Sequence, residues 1–203
     1  MDLNNKKLKI YLINSPAFTE RWATCYPPLG ILYIAANLEK HGYGVKVVDM
    51  QADENMTFDD IKSILRKEKP DIVGLSVYTP WRFNSFKLVK IAKEVGAKTI
   101  VGGPHITAMP ELILKNYPYV DIAVRGEGEE TVLEIAQNKN LSQIKGITYR
   151  QNGNVISNEQ RPFIADLDTL AFPSRHLLLM EKYFTRLNKY EYSLRPPGTT
   201  IMV

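Results

Sequence analysis

Four stretches of the 203-residue chain hold residue types that could recognise a ligand or act on one. Asn14-Ser15-Pro16 opens a segment that runs to Pro27. Ser76-Val77-Tyr78-Thr79-Pro80-Trp81 follows, then Gly102-Gly103-Pro104-His105, then Gly126-Glu127-Gly128-Glu129. Two residues without Cβ would let a bulky ligand touch backbone, although Gly102-Gly103 equally suits a tight turn. Ser76 carries a hydroxyl that needs a partner if buried. Tyr78 and Trp81 could form an aromatic shelf or be plain surface aromatics. His105 could move a proton or be an ordinary loop histidine. Glu127 and Glu129 suit a helix start, where the dipole favours negative charge, and the glycines beside them would let amides face a ligand.

Most catalytic templates are missing. There is no G-x-x-x-x-G-K-S/T phosphate loop and no G-x-G-x-x-G after the first apolar run. G-x-S-x-G is absent, and the 3 histidines are scattered, with no pair at metal-binding spacing. The single cysteine, Cys25, cannot form an internal disulfide, and alone it cannot hold zinc or an iron–sulfur cluster. The four stretches suit holding a large ligand better than performing chemistry alone.

The elements that position them follow from hydrophobic periodicity. Short apolar runs at Leu8 to Asn14, Val45 to Asp49, Asp71 to Val77, Lys98 to Gly102 and Val120 to Val124 have the length of buried strands. Helical spacing falls between them: Pro28 to His41, Thr57 to about Lys67, Phe83 to Val95, Pro110 to Asn116 and Glu127 to Gln137. Thr57 is placed to cap its helix, with Asp59 and Asp60 in the first turn. Strands alternating with helices imply parallel βαβ units, and near-uniform apolarity implies a sheet covered on both faces. The expected fold is therefore doubly wound α/β, flavodoxin-like, with a five-stranded parallel sheet in the order 2-1-3-4-5. Asn152-Gly153 between Ile147–Arg150 and Val155-Ile156 signals a β-hairpin at the sheet edge. Prolines 162, 173, 196 and 197 punctuate an irregular tail with one short helix near Leu177 to Tyr183. The expected division is a Rossmann-like domain over 6–140, a hairpin extension over 141–165 and a linker over 166–203. In such a sheet the ligand crevice lies beyond the carboxyl ends of the strands, where strand order reverses. All four stretches fall on that edge.

Composition fits this picture. Hydrophobic residues make up 44% and charged residues 24%, as in a soluble globular chain. No apolar run approaches the ~20 residues that span a bilayer, and no secretory signal opens the chain, so a cytoplasmic location is expected. The net charge of +4 comes from dispersed lysines and arginines, which argues against a nucleic-acid partner.

Several ordered segments together resemble a known family. They are Tyr26-Pro27-Pro28-Leu29-Gly30-Ile31-Leu32-Tyr33-Ile34-Ala35, Val101-Gly102-Gly103-Pro104-His105-Ile106-Thr107 and Arg125-Gly126-Glu127-Gly128-Glu129-Glu130-Thr131, with Gly146-Ile147-Thr148-Tyr149 and Phe172-Pro173-Ser174-Arg175. The chain resembles the N-terminal cobalamin-binding-type domain of radical S-adenosylmethionine enzymes, the class of cobalamin-dependent methylases and the anaerobic magnesium-protoporphyrin cyclase. The resemblance implies a cobalamin cofactor here. It also implies a downstream radical module, opened by C-x-x-x-C-x-x-C, that carries an iron–sulfur cluster and S-adenosylmethionine and acts on a small-molecule substrate. The chain stops about where that motif would begin.

By position, Ser76, Gly102, Gly103 and Gly126 would line the slot for the cofactor's nucleotide tail, and Tyr78, Thr79 and Pro80 would lie under the corrin ring. Ser15, Val77, Pro104, His105, Glu127 and Gly128 complete the cofactor-binding set that the resemblance implies. The histidine-ligating cobalamin domains carry Asp-x-His-x-x-Gly after the first strand. Here Asn14-Ser15-Pro16-Ala17-Phe18-Thr19 stands in its place, so cobalamin is expected without that ligand. The leading expectation is a cobalamin-binding domain of a methyltransferase. The alternative is a cofactor-free scaffold that docks on the radical module, with its crevice closed by Trp22, Tyr78 or Trp81. A flavin site is disfavoured because Pro16 removes an amide donor where phosphate would need one.

Overall fold

In the computed structural model of the chain, which describes residues 8–17, 26–53 and 55–187, seven strands form one sheet in the order β2-β1-β3-β4-β5-β6-β7. The first five are β1 (Lys9–Asn14), β2 (Gly44–Asp49), β3 (Ile72–Ser76), β4 (Lys98–Gly102) and β5 (Ile122–Val124), all parallel. β6 (Ile147–Gln151) and β7 (Asn154–Ser157) continue the sheet antiparallel. The expected 2-1-3-4-5 order and the edge hairpin are both present. Asn152 and Gly153 have φ of 50° and 81°, so both central residues of the hairpin turn are left-handed, as a type I′ turn requires.

Helices cover both faces because the strands alternate between them. Tyr11, Ile13, Val73, Leu75, Val101 and Ala123 point to one face and pack with α2 (Phe58–Glu68), α3 (Arg82–Glu94) and α5 (Pro110–Asn116). Ile10, Leu12, Ile72, Ile100, Ile122 and Val124 point to the other and meet α1 (Leu29–Lys40) and α6 (Glu129–Ala136). Thr57 caps α2 with a full capping box, exchanging bonds with Asp60.

Three elements before the tail differ from expectation in ways that bear on the site. β5 begins at Ile122 instead of Val120. Asp121 turns to Thr99 instead, accepting from its amide at 2.9 Å and donating its own amide to the Thr99 hydroxyl at 3.0 Å. Gly103 has φ 94° and Pro104 fixes a helical φ, so the stretch after β4 turns into a short helix, α4 (Pro104–Ala108), where a plain loop was expected. α6 starts at Glu129, not Glu127, because Gly126 turns at φ 71° and the Glu127 carboxylate accepts from the Ile164 amide at 2.6 Å.

The tail was expected to be a linker packed on a following domain. Its described part packs on this domain. Ser174 donates its amide to the Leu32 carbonyl at 3.2 Å and its hydroxyl to Glu39. A short 3-10 turn at Arg175–Leu177 leads to α7 (Glu181–Leu187), later than the expected helix. Tyr183 is 1% exposed, and its hydroxyl donates to Asp49 at 2.5 Å. Pro196 and Pro197 lie outside the described residues.

Candidate functional site

An apolar slot of about 190 Å³ enters the domain from the carboxyl ends of the strands. It lies on the α1 and α6 side of the sheet. Its floor is Leu12, Ile72, Gly74 and Ile100, and its walls include Ile31 and Ile34 of α1 and Val132 of α6. Ser76, Tyr78, Gly102, Gly103, Pro104, Gly126, Glu127 and Gly128 line it, so eight of the thirteen residues expected at the site converge there.

The glycines have separate roles. A Cβ on Gly103 would sit 2.8 Å from Ser76 Oγ and 3.0 Å from the Val77 amide nitrogen, so β3 and the start of α4 touch only because Gly103 is bare. A Cβ on Gly102 would meet Val124 at 3.7 Å, an ordinary contact, and anything longer would enter the slot. Gly128 lets α6 approach α1, since its Cβ would lie 3.0 Å from Ile34 Cδ1.

The other five expected residues lie outside the lining. Ser15 is fully buried; its hydroxyl shares a 2.6 Å hydrogen bond with Ser85, and its carbonyl accepts from Gln51 at 2.9 Å. Val77 is buried, its amide bonded to the Gly102 carbonyl at 2.8 Å and its carbonyl accepting from the His105 amide at 3.2 Å. His105 is buried too. Its Nδ1 shares a 3.1 Å hydrogen bond with the Thr79 hydroxyl, tying the loop after β3 to α4. Burial, with the Arg82 charge adding to it, lowers the His105 pKa and favours the neutral ring. Thr79 and Pro80 are exposed on the rim. Tyr78 stands in the slot wall, with its ring 5.3 Å from that of Trp81, but Trp81 is not part of the wall. Trp22 lies outside the described residues.

The acidic motif after β5 divides its work. Arg125 donates to the carbonyls of Ile147 and Asn158 and staples β5 to the hairpin. Glu127 ties down the chain at Ile164. Glu129 was read as a helix-start acid and not placed in the site. It is 7% exposed, lines the slot, and its Oε2 has no hydrogen-bond partner among the described residues. Burial raises its pKa, with Glu127 and Glu130 pushing the same way and the amides of Glu129 and Gly128 opposing. Gly30 was also missed. It lies in the wall on α1 with nothing within 4 Å of where its Cβ would be. Neither residue differs in sequence from an ordinary helix-surface residue; only the packing of α1 beside α6 reveals them. Among the described residues, no three His, Cys, Asp or Glu side chains come together to hold a metal ion. No helix among them is long and apolar enough to cross a membrane.

Fold and slot together define a class: a doubly wound domain with a largely apolar slot between its sheet and two helices and with Glu129 in the slot wall. Residues 17–136 match the family of B12 binding domains, and the chain belongs to that family. It is 38% identical over 187 residues to an uncharacterized methyltransferase of Pyrococcus horikoshii, covering 88% of this chain and 40% of that protein. It is 34% identical over 176 residues to the anaerobic magnesium-protoporphyrin IX monomethyl ester cyclase of Rubrivivax gelatinosus, covering 81% and 31%. With the cytidylyl-2-hydroxyethylphosphonate methyltransferase of Streptomyces wedmorensis it shares 32% identity over 87% of this chain and 41% of that one. The chain thus spans less than half the length of these relatives. Its fold matches the cobalamin-dependent S-adenosylmethionine radical enzyme OxsB, solved with aqua-cobalamin and S-adenosylmethionine bound, with a TM-score of 0.68 and 22% identity over 78% of this chain and 23% of that one. It also matches the radical S-adenosylmethionine methyltransferase TsrM of Kitasatospora setae, with a TM-score of 0.64 and 16% identity over 74% of this chain and 30% of that one.

Proposed function

We propose that this chain binds cobalamin, with the nucleotide tail in the slot beside Gly102 and Gly103, and that it serves a radical S-adenosylmethionine methyltransferase. The slot carries the reading: it is narrow, apolar in its depth, and bordered by residues without Cβ where a large ligand must pass close to backbone. Ile31, Ile34, Val124 and Val132 would hold the apolar base of the tail, and Ser76 and Glu127 stand at the mouth, where more polar parts would lie. Tyr78, Thr79 and Pro80, on the rim and braced by His105, would face the corrin ring. When bound, cobalamin supplies a cobalt centre that can carry a methyl group. The cobalamin-dependent and methyltransferase names of the relatives support the reading.

The rest of such an enzyme would dock on the tail, where Phe163, Phe172 and Leu179 are 78%, 92% and 70% exposed. The cofactor-free scaffold would share that docking, but it expects a closed crevice. Among the described residues the slot is open, which favours cobalamin.

The test is anaerobic reconstitution of the chain with hydroxocobalamin, read as corrinoid absorbance that stays with the protein after desalting. The expected result is one equivalent retained by the natural sequence. Gly102→Leu should abolish retention while leaving the circular dichroism unchanged, because the new side chain fills the slot and not the core. A natural chain that stays colourless would sink the cobalamin reading and leave the scaffold.

A further inference from the structure

Glu129 is a buried carboxyl in the slot wall with one oxygen that has no partner among the described residues. It opens α6, is 7% exposed, and lies in the slot wall. Buried polar atoms are nearly always paired, because leaving one unpaired forfeits its hydration. Its Oε2 has no partner among the described residues. Most side chains that share the slot wall with it, Ile31, Ile34, Val124 and Val132 among them, can neither donate nor accept. Burial raises its pKa; Glu127 and Glu130 add to this, and the amides of Glu129 and Gly128 oppose it. Burial thus favours the protonated form of this acid, and among the described residues its Oε2 has no partner to receive that proton.

We propose that the carboxylic acid of Glu129 donates a hydrogen bond into the slot, to an acceptor atom on the buried limb of the ligand. It thereby selects ligands whose limb carries such an atom. This rests on the cobalamin reading and deepens it. The base of cobalamin's nucleotide tail carries a ring nitrogen whose lone pair is free whenever the base is detached from cobalt. An apolar slot alone would accept any flat base of the right size; Glu129 makes the slot ask for a nitrogen. Glu129 is then a specificity-determining residue for the lower base.

The experiment compares two probes, cobalamin and p-cresolylcobamide. The second keeps the corrin, phosphate and ribose but carries a phenolic base without a ring nitrogen. Dissociation constants are measured by absorbance for the natural chain, for Glu129→Gln, which keeps a donor, and for Glu129→Met, which keeps the length and loses it. Thermal melting checks that each variant is folded. Glu129→Met should bind cobalamin about tenfold more weakly, the scale of one buried hydrogen bond, with p-cresolylcobamide affinity unchanged. Glu129→Gln should stay within about twofold of the natural chain for both probes. If Glu129→Met weakens both probes equally, or Glu129→Gln loses as much cobalamin affinity as Glu129→Met, the proposal is overturned and Glu129 is only part of the wall. A natural chain that binds neither probe would overturn the cobalamin reading itself, and that failure shows before any substitution is made.

Discussion

Gly103 has no room for a side chain and no freedom to give up its backbone angle. Its φ of 94° is strained for any residue with a Cβ, and that Cβ would press on Ser76 Oγ and the Val77 amide at 2.8 and 3.0 Å. Gly103→Ala is expected to cost about 1–3 kcal/mol, measured by urea denaturation. Gly102→Ala, with its Cβ at 3.7 Å from Val124, should cost far less. Glu129 makes the opposite kind of prediction. Its carboxyl pKa is raised in the folded protein, so the folded state holds the proton more tightly than the unfolded one. By linkage, stability is greatest below the ordinary glutamate pKa of about 4.3 and falls as pH rises through the raised folded value. Glu127 and Glu130 carry like charges toward it, and Tyr78 is the other titratable side chain in the slot wall. Glu129→Gln removes the titration. The variant should melt higher than the natural chain at pH 8, and the gain should vanish below about pH 4. An equal gain at both pH values would mean that ionisation of Glu129 is not its source.

The elements that carry the slot were legible where a short-range rule applies. Five apolar runs separated by helical spacing leave few topologies, and the observed order follows. Asn152-Gly153 declared its turn because few other residue pairs accept two left-handed φ values in a row. Thr57 declared its cap, and the capping box makes a measurable claim. Thr57→Ala should cost about 1 kcal/mol at neutral pH. Asp60 has its pKa lowered by bonds from the Thr57 hydroxyl and amide, so its share of stability is present above the ordinary aspartate pKa and lost as pH falls through the lowered value. The penalty of Thr57→Ala should therefore shrink in acid, and a penalty independent of pH would contradict the capping-box account. What stayed illegible depends on contacts between distant elements. The convergence of Ser76, Gly102, Gly103, Gly126 and Gly128 followed from strand order. The departure of Ser15 into a hydrogen bond with Ser85 did not, since it depends on how α3 packs beneath β1. His105 looked like a loop histidine, and only the turn at Gly103 reveals it as the brace for Thr79. The acid motif carried two roles that no pattern separates: Glu127 faces a returning backbone amide, and Glu129, two residues on, lies in the slot wall.

At the scale of the whole molecule, the tail is what the sequence hid most. Prolines and irregular composition read as a linker, yet the described part runs from the hairpin edge across α1 and ends at the far edge of the sheet, beside β2. Ser174 and His176 hold Glu39 on α1, His176 at 3.1 Å, and Lys182 donates to Asp53 at 2.8 Å. Tyr183 closes the path on Asp49, whose other oxygen already accepts from Asn14 at 2.9 Å and from the Gln51 amide at 2.8 Å. Burial pushes the Asp49 pKa up, while the bonds from Tyr183, Gln51 and Asn14 pull it down. Of these bonds, the one from the Tyr183 hydroxyl does most to lower it. Asp49 ends β2, so the tail is anchored on the same carboxyl edge from which the slot opens. A strap of this kind links the two edges of the sheet. Tyr183→Phe removes a single oxygen, leaves Asp49 short of one partner, and should cost about 1–3 kcal/mol. For a chain of this size that lowers the melting temperature by about 2–4 °C per kcal/mol. If the strap is part of the same cooperative unit, the variant still melts in one transition and its proteolytic cuts spread over the chain. If instead the tail is a separate, loosely held appendage, Tyr183→Phe leaves the main melting transition where it was and only cuts near residues 162–187 become faster. That second outcome would remove the tail from the fold and return it to the linker that its composition first suggested.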